Sequence, residues 1–464
     1  MDLGFIESKT YEEISIGDTA TTEHVLSTDD AMAFASISGF RAVLDGDELT
    51  KRAGGIPPTG PNMWCASLIS GLFSMNIPGP GCTLTSVSLS FHHRIRVGDR
   101  LLVKVQVTAK DDSTQSITFD CEANNGGGTP IFTGTAQLLA PTTKLRWSTL
   151  PLPQLIVHNP YRHYLGLIAR ANTRPPVRTA VVWPGDEVSL GGALQGFKDN
   201  LIAPVLVGDE SRIRSLAETM QLDLGTIRIV DIPESRLAAF RAVEMARKGE
   251  VQMLMKGSLH TDEIMGAVVS REGGMRTGRR ISHVFALDVP SYHKPLFVSD
   301  AAINIQPDLE TKIDILQNAI DAMLTIGVVN PKVAILSAVE SVNPAIPSTL
   351  DAAALCKMVD RGQITGAIVD GPLAFDNAIS LEAARIKKIK SKVAGDVDLL
   401  MVPNLEAGNI LFKQLQYLAG ALAAGVVVGA KVPIVLTSRA DGELARNASC
   451  ALGVLLAKPA PDLN

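Results

Sequence analysis

Cysteine is scarce in this chain, with five residues among 464. The cysteines stand singly in apolar surroundings, so their spacing suggests neither a metal site nor a disulfide framework, and an odd number suits a reducing cytoplasm. Positive charge is also in deficit, with 43 Lys and Arg against 48 Asp and Glu. That balance argues against a dedicated nucleic-acid binder, which would usually be basic.

The sequence also lacks a long hydrophobic run. Its most apolar stretch, residues 418–430, has about 13 residues and contains three glycines, whereas roughly 20 apolar residues are needed to span a bilayer. We expect a buried helix, a turn and a core strand there. The N-terminal residues MDLGFIESKTYEEIS are acidic and show no basic region followed by an apolar stretch, so no secretory signal is visible. These features predict a cytoplasmic protein without a membrane partner.

What is present is ordinary globular composition, 46% hydrophobic and 20% charged, in a chain long enough for about three domain-sized units. Residues 1–148 are strand-rich, with apolar residues at alternate positions in 83–97, 101–107, 114–123 and 131–139. One long apolar segment, Asn62–Met75, precedes them and favours a helix. A buried helix wrapped by an antiparallel sheet is the α+β arrangement called a hot dog, and we predict it for this domain.

Residues 149–176 are rich in proline and predict a linker that holds one short helix at 161–171. From 177 to 464 strands alternate with helices, a rhythm that predicts two α/β lobes with a mainly parallel sheet. Strands are expected at 177–183, 203–207, 226–232, 332–336, 367–369, 399–402 and 434–436. Asp209 is expected to cap a helix over 211–220.

Four loops that follow these strands are unusually polar. Parallel sheets place ligands beyond the carboxyl ends of their strands, so four such loops in one domain suggest a binding site rather than four ordinary turns. The candidate ligand-binding side chains in three of the loops are Ser337, Asn343, Asp370, Asp376 and Asn409. The fourth loop carries Ser438 and Arg439.

Ser438 and Arg439 form the sharpest of these motifs. At the start of a helix they would present a hydroxyl, a guanidinium and free backbone N–H groups together, which suits a phosphate or an oxyanion. No Gly-x-x-x-x-Gly-Lys-Ser/Thr loop is present, so the chain is not expected to be a P-loop nucleotidase.

Several motifs, in this order, resemble those of the phosphate acetyltransferase/butyryltransferase family. They are MKGSLHT at 255–261, RRISH at 279–283, SDAAIN at 299–304 and the four loops above. The resemblance runs from about residue 155 to the end of the chain. It implies a homodimer of two-lobed α/β subunits of the isocitrate-dehydrogenase type. The implied reaction is acyl-CoA plus phosphate in equilibrium with acyl phosphate plus CoA, without a metal or other cofactor.

The resemblance also implies roles for individual residues. Arg439 would contact the phosphoryl group, Ser438 the oxyanion or the thiol, and Asp441 would be the base that deprotonates CoA, with Glu443 as its alternative. An arginine that acetyl-specific members carry after the histidine motif is missing, and Arg276, Arg279 or Arg280 would replace it. The implied substrate-binding set is Asn304, Ser337, Asn343, Asp370, Asp376, Asn409, Arg279 and Arg280.

The first domain is similar to MaoC-type (R)-specific enoyl-CoA hydratases over about residues 10–145, through ASISG at 35–39, ASLIS at 66–70, PGPG at 78–81 and RVGD at 96–99. The catalytic aspartate and histidine positions of that family hold Phe40 and Asp45. We therefore expect the domain to fold and to be able to bind acyl-CoA, but not to hydrate enoyl-CoA. The opposing hypothesis is a rebuilt dyad of Asp45 or Asp47 with His92 or His93.

Three other interpretations remain open at this point. The protein could be truly bifunctional, or it could be a non-enzymatic acyl-CoA-binding regulator, which would require a broken transferase site. A metal- and NAD(P)-dependent dehydrogenase would need an aspartate cluster, and none is convincing. We expect His260 and His283 to be structural and the basic run 385–392 to be a solvated helix end.

Overall fold

The computed structural model describes residues 4–39, 59–60, 62–148, 162–271, 274–436 and 442–458. The chain divides into two compact units, Met1–Val157 and His158–Asn464. The helices of the first unit are α1 (Thr28–Ser38) and α2 (Asn62–Met75). Its strands are β1 (Phe5–Glu7), β2 (Thr19–Val25), β3 (Thr59–Gly60), β4 (Thr83–Phe91), β5 (Ile95–Arg96), β6 (Arg100–Asp111), β7 (Ser116–Asn125), β8 (Pro130–Leu139) and β9 (Arg146–Ser148).

The first unit has the hot-dog arrangement that its sequence predicts. Strands β2, β6, β7, β8 and β4 lie in that order in an antiparallel sheet. Alternate residues of β6, from Leu101 to Val107, are buried, which confirms the period of two. The apolar face of α2 packs on this sheet, where the rings of Phe73 and Phe119 lie 5.1 Å apart. Burial of these side chains, rather than helix propensity, keeps α2 in place.

The second unit alternates helices and strands. Its helices are α3 (Arg162–Ala171), α4 (Glu187–Lys198), α5 (Glu210–Thr219), α6 (Ser235–Arg247), α7 (Thr261–Val269), α8 (Leu309–Thr325), α9 (Pro347–Asp360), α10 (Phe375–Ile379), α11 (Leu381–Ile386), α12 (Leu405–Tyr417) and α13 (Glu443–Leu456). Its strands are β10 (Val177–Val182), β11 (Ile202–Gly208), β12 (Arg228–Asp231), β13 (Met253–Lys256), β14 (Ser282–Asp288), β15 (Leu296–Ser299), β16 (Lys332–Leu336), β17 (Ile368–Leu373), β18 (Leu399–Met401), β19 (Leu422–Val428) and β20 (Ile434–Val435).

One continuous sheet of eleven strands runs through this unit, in the order β12-β11-β10-β13-β20-β19-β14-β15-β18-β16-β17. The first five strands of this order are parallel to one another, and so are the last four. Antiparallel pairing through β19 and β14 joins these two blocks. The expected mainly parallel α/β structure is therefore confirmed, but the two lobes share a sheet whose centre is antiparallel.

The helix predicted within the linker belongs to the core of the second unit, so that part of the linker prediction is wrong. Tyr164 and Ala171 of α3 are buried in the main hydrophobic cluster. Just beyond α3, the Arg174 guanidinium donates hydrogen bonds to the carbonyls of Leu455 and Val454, at 2.6 and 3.2 Å. These carbonyls are at the end of α13, where backbone acceptors have no partner within the helix.

Two further local predictions can be compared with the structure. Asp209 caps α5 as expected, because its carboxylate accepts a hydrogen bond from the Arg212 backbone N–H at 3.0 Å. In the apolar stretch 418–430, the core strand is present as β19, whereas the helix ends at Tyr417, before the stretch begins. Gly420 has a positive φ of 67°, which favours a turn at that point.

Candidate active site

The three residues predicted to be catalytic, Ser438, Arg439 and Asp441, lie outside the described residues. Strand β20 ends at Val435 and helix α13 begins at Glu443, so the three belong to the connection between these elements. Glu443, the alternative base, is exposed in the first turn of α13.

The loops after β10 and β13 lie next to each other at the carboxyl ends of their strands. The backbone N–H of Ser258 donates to the Trp183 carbonyl at 2.8 Å, and the Gly185 N–H donates to the Ser258 hydroxyl at 3.2 Å. A Cβ at Gly257 would lie 2.3 Å from the Trp183 carbonyl oxygen, so only glycine allows this close approach. The two loops consequently form one fixed surface.

This surface lies at a topological switch point of the sheet. From β10 the chain continues outward through β11 and β12, whereas β13 and β20 lie on the other side of β10. Ligands of open α/β sheets bind in the crevice beyond the carboxyl ends of strands at such a point. The residue that ends β13 there is Lys256, which is 7% exposed and which sequence reasoning did not single out.

In the second block, the residue after β15 anchors a tight polar loop. Asp300 is buried, and its carboxylate accepts hydrogen bonds from the backbone N–H groups of Ala302, Ile303 and Asn304 at 3.0 to 3.1 Å. The Asn304 amide donates to the same carboxylate at 2.6 Å and to the Ile281 carbonyl at 3.0 Å. Burial raises the pKa of Asp300 above its usual value, although these hydrogen bonds oppose the shift. Asn304 is thus held firmly at the edge of a pocket.

That pocket is an open depression of about 500 Å³ beside the start of β14. Asn304 and three guanidinium groups line it, those of Arg276, Arg279 and Arg280. The Arg279 guanidinium lies 2.6 Å from an Asp321 carboxylate oxygen. Acidic neighbours raise the pKa of Arg280, which pairs with Glu310 and Asp314 at 3.3 Å.

Arg276 differs from its two neighbours in this pocket. It is exposed and forms no ion pair with any residue in the described part of the chain. Its charge is consequently more available to a bound anion than the charges of Arg279 and Arg280, which already face carboxylates.

Of the remaining predicted binding residues, Ser337 and Asn343 lie in the loop after β16, as expected. Asp376 and Asn409 were also expected in loops, and that placement is wrong because they lie in helices α10 and α12. The Ser337 hydroxyl lies 2.8 Å from that of Ser348, and the Asn409 amide donates to the Ala301 carbonyl at 3.3 Å. The Asn343 side chain accepts from the Ala345 N–H at 3.0 Å, which is a local turn contact. Asp376 lies 3.3 Å from the Lys387 ammonium, so that lysine of the basic run is ion-paired.

Asp370 was expected in a loop, and that placement is wrong because it lies within β17. The Asp-Gly-Pro sequence at 370–372 resembles a turn, yet the strand continues to Leu373. Strand β17 is at the edge of the sheet, where the missing N–H of Pro372 interrupts no pairing on the outer side.

The two histidines of the motifs have the structural environments expected for them. His260 is the N-cap residue of α7, where its backbone N–H donates to the Glu263 carboxylate at 2.8 Å. His283 lies inside the sheet, and burial lowers its pKa to about 3. Its Nδ1 has no hydrogen-bond partner among the described residues.

Within the residues the structure describes, no group of three or more His, Cys, Asp and Glu side chains is placed to hold a metal ion. No helix in the same part of the chain is long and apolar enough to cross a membrane.

The eleven-stranded α/β unit defines the class of protein, because it has relatives of known structure. A branched-chain phosphotransacylase from Enterococcus faecalis V583 is 28% identical with a TM-score of 0.53, over 60% of this chain and 98% of that one. Residues 236–445 match the family model described as phosphate acetyl/butaryl transferase.

Two curated relatives extend this similarity. The phosphate acetyltransferase of Rhizobium meliloti is 58% identical over 63% of this chain and 93% of its own length. The phosphate butyryltransferase of Clostridium acetobutylicum is 41% identical over 63% of this chain and 97% of its own length. The chain belongs to the phosphate acetyltransferase and butyryltransferase family, and it is an acyltransferase.

Proposed function

We propose that the protein transfers a short acyl group, such as acetyl, between CoA and phosphate: acyl-CoA plus phosphate in equilibrium with acyl phosphate plus CoA. The observation that carries this proposal is the 58% identity over 93% of an acetyltransferase. In this chain, the loops after β10 and β13 and the arginine-lined pocket beside Asn304 supply the polar and cationic groups that such anionic substrates require.

In the proposed mechanism, the residues between β20 and α13 perform the chemistry. Asp441, or Glu443 in its place, takes the proton of the CoA thiol when the thiol attacks acyl phosphate. Ser438 donates to the oxyanion of the tetrahedral intermediate, and Arg439 stabilises the departing phosphate. In the opposite direction the same groups act in reverse order. Support for these roles comes from the motif and from its position before a helix of 14 residues.

The arginine-lined pocket would hold the anionic part of CoA. CoA carries several phosphate charges, and Arg276 provides a guanidinium without an ion-pair partner among the described residues. Arg279, Arg280 and Asn304 would shape the pocket and contact the ligand as secondary groups. Phosphate binding by arginine is favoured by the planar fork of its donors.

We infer a fold of the isocitrate-dehydrogenase type, with a cleft between the two parallel blocks of the sheet. Such a cleft would bring the loops after β10 and β13 close to the arginine-lined pocket. Three antiparallel pairs separate β20 from β15, so the two parallel blocks run in opposite directions. Each strand of a sheet is rotated by about 20–25° relative to its neighbour. There are six steps from strand to strand between β13 and β16, and together they give a rotation of roughly 120–150°. This rotation largely compensates for the reversal, so both sets of carboxyl ends would face one cleft.

The direct test is CoA release by the purified protein from acetyl-, propionyl- and butyryl-CoA, with and without phosphate. Phosphate-dependent release, highest for one of the three substrates, is expected and identifies the preferred chain length. Release that is independent of phosphate would mean hydrolysis and would reject the transferase proposal.

We also propose that the protein is a homodimer or a larger homo-oligomer. Ile410 and Tyr417, each 67% exposed, are seven residues apart and lie on one face of α12, and Leu418, which follows the last residue of the helix, is 80% exposed. An exposed apolar stripe of this kind is typical of a protein interface.

The five cysteines are all free thiols, which supports a reducing, cytoplasmic location.

For the first unit we propose no hydratase activity. His92 Nε2 lies 2.8 Å from the Thr133 hydroxyl, and His93 Nδ1 lies 2.8 Å from the Pro130 carbonyl. Both rings are thus tied to β8, which supports a structural role. Phe40, Asp45 and Asp47, the other residues of the hydratase comparison, lie outside the described residues.

A further inference from the structure

Helix α8 carries a buried asparagine for which the mechanism above has no role. Asn318 is 5% exposed and lies in the same helix as the buried apolar residues Ile315 and Ala319. Asparagine is a poor helix former, and a buried amide costs free energy unless hydrogen bonds satisfy it. The partners of this amide therefore indicate what the residue does.

The Asn318 amide holds the backbone of residues 276–280, the segment with the three pocket arginines, which we call the arginine loop. Its Nδ2 donates hydrogen bonds to the Arg280 carbonyl at 2.9 Å and, just beyond the loop, to the Ser282 hydroxyl at 3.1 Å. One turn earlier in α8, the Asp314 carboxylate accepts a hydrogen bond from the Arg280 backbone N–H at 3.0 Å. Both backbone groups of Arg280 are consequently held by side chains four residues apart on α8.

A glycine permits the contact between Asn318 and the arginine loop. Gly429 follows β19 with a φ of 86°, and a Cβ there would lie 2.6 Å from the Asn318 Nδ2 and 2.8 Å from the Arg280 carbonyl oxygen. A side chain at this position would push the two groups apart. The Gly429 carbonyl also accepts a hydrogen bond from the Thr277 hydroxyl at 2.7 Å. The arginine loop is thus held near one end by Gly429 and at the other by α8.

A loop that is held at both ends presents its guanidinium groups in a defined arrangement. The arginine loop lines the pocket proposed for the anionic part of CoA. Ordering a flexible loop during binding would cost free energy, and a loop that is already ordered avoids this cost. Asp314 lines the same pocket, so its charge acts on a ligand directly. Asn318 is uncharged and buried, so its influence passes through the geometry of the loop.

We propose that Asn318 is a positioning residue for CoA, which holds the arginine loop so that the Arg276 guanidinium meets the phosphate groups of the ligand. This inference rests on the proposed function, which assigns CoA to the arginine-lined pocket. Asn318 takes no part in the chemical step. Its replacement should therefore affect the binding of acyl-CoA far more than kcat or the KM for phosphate.

The test is Asn318→Leu, which keeps the approximate shape of the side chain and removes both donors. The KM for acetyl-CoA should rise roughly 3- to 10-fold, the range that a net hydrogen bond contributes. The KM for acetyl-pantetheine, which lacks the phosphate groups of CoA, should change less than about twofold. The KM for acetyl-CoA should also depend less on ionic strength than in wild type, because the arginine charges are no longer aligned with the ligand.

Lys312→Met is the matched control on the same helix. Lys312 is equally buried, at 6% exposure, but it is paired with Asp351 of α9 at 2.6 Å. This variant should lower the melting temperature and leave the KM for acetyl-CoA unchanged. If Asn318→Leu behaves in the same way, Asn318 is structural and the inference is wrong.

A double variant shows whether Asn318 acts through Arg276. In the Arg276→Met background, Asn318→Leu should raise the KM for acetyl-CoA by a smaller factor than it does in wild type, because the guanidinium to be positioned is already missing. Equal factors in the two backgrounds would mean that Asn318 acts independently of Arg276, and would reject the inference.

Calorimetric titration of the full chain with CoA separates this inference from the proposed function. Wild type that binds CoA without phosphate-dependent CoA release would overturn the proposed function alone, and wild type that does not bind CoA would overturn both. An unchanged dissociation constant for CoA in Asn318→Leu would overturn only the role of Asn318. If Asn318→Leu does not fold, Asn318→Ala takes its place: weaker CoA binding than in wild type supports the inference, and equal binding rejects it.

Discussion

Removal of the Arg276 guanidinium should weaken the binding of acyl-CoA without affecting phosphate. Arg276 lines the pocket of about 500 Å³ and has no ion-pair partner among the described residues. A hydrogen bond to a charged group contributes about 1.5–3 kcal/mol. Because Arg276 is exposed, solvent screening favours the lower end of that range. A loss of about 1.4 kcal/mol corresponds to a tenfold change in affinity.

The assay is steady-state kinetics of Arg276→Met with acetyl-CoA and phosphate varied in turn. The KM for acetyl-CoA should rise about tenfold at low ionic strength and less at high salt, because salt screens exposed charges. The matched control is Arg279→Met, whose guanidinium is already occupied by Asp321 at 2.6 Å. We expect a smaller change in that variant.

Acetyl-pantetheine gives a second control, because it carries the thioester without the phosphate groups of CoA. Wild type and Arg276→Met should use it equally well. The reasoning would be refuted if Arg276→Met kept its KM for acetyl-CoA, or if it lost as much activity with acetyl-pantetheine as with acetyl-CoA.

Four further predictions concern other parts of the chain. Arg439→Ala should cost about 2–4 kcal/mol of transition-state stabilisation and should lower kcat/KM accordingly. An unchanged kcat/KM would remove Arg439 from the mechanism. His283 is buried and neutral, and its pKa is about 3 in the folded protein against 6.5 in the unfolded chain. Between these two pH values the unfolded chain binds more protons than the folded protein. The free energy of unfolding should therefore fall as the pH decreases from 6.5 towards 3. At pH 4.5 that loss is roughly 2–3 kcal/mol, and denaturation of His283→Gln should show a flatter pH dependence than wild type. The full chain should not hydrate crotonyl-CoA, and turnover above about 1 s⁻¹ that is abolished by Asp45→Asn would show the first unit to be a hydratase. Leu418→Glu should reduce the oligomer measured by light scattering, and a wild-type monomer at micromolar concentration would contradict the proposed assembly.

Local patterns in the sequence were sufficient for several elements of the fold. The apolar segment Asn62–Met75 is a helix with the predicted bounds, and Lys332–Leu336 is a strand with the predicted bounds. In both segments, one strong hydrophobic pattern is flanked by turn residues. Burial of the apolar side chains favours the same secondary structure as the local sequence does.

The centre of the large sheet was not predicted, because pairing direction depends on partners far away in sequence. Strand β14 pairs with β19, about 140 residues later, and both are antiparallel to their neighbours. An apolar segment has the same appearance in parallel and antiparallel pairing when both faces are covered. The continuous sheet and the opposite directions of its two blocks follow from these contacts alone.

The site was predictable in its residue types more than in its geometry. Asn304 lines the arginine-lined pocket, whereas Asn343 is engaged in a turn and Asp370 lies within a strand. Hydrogen-bond partners distinguish these cases, and spacing along the chain does not reveal them.

The central claim is that acyl groups move between CoA and phosphate, and phosphorus NMR tests it most directly. The full chain is mixed with acetyl-CoA and inorganic phosphate, and the phosphate signals are followed over time. The account predicts a new acyl phosphate resonance that grows as free CoA appears in equal amount, and that decreases again when excess CoA is added. Release of CoA with inorganic phosphate unchanged would contradict it.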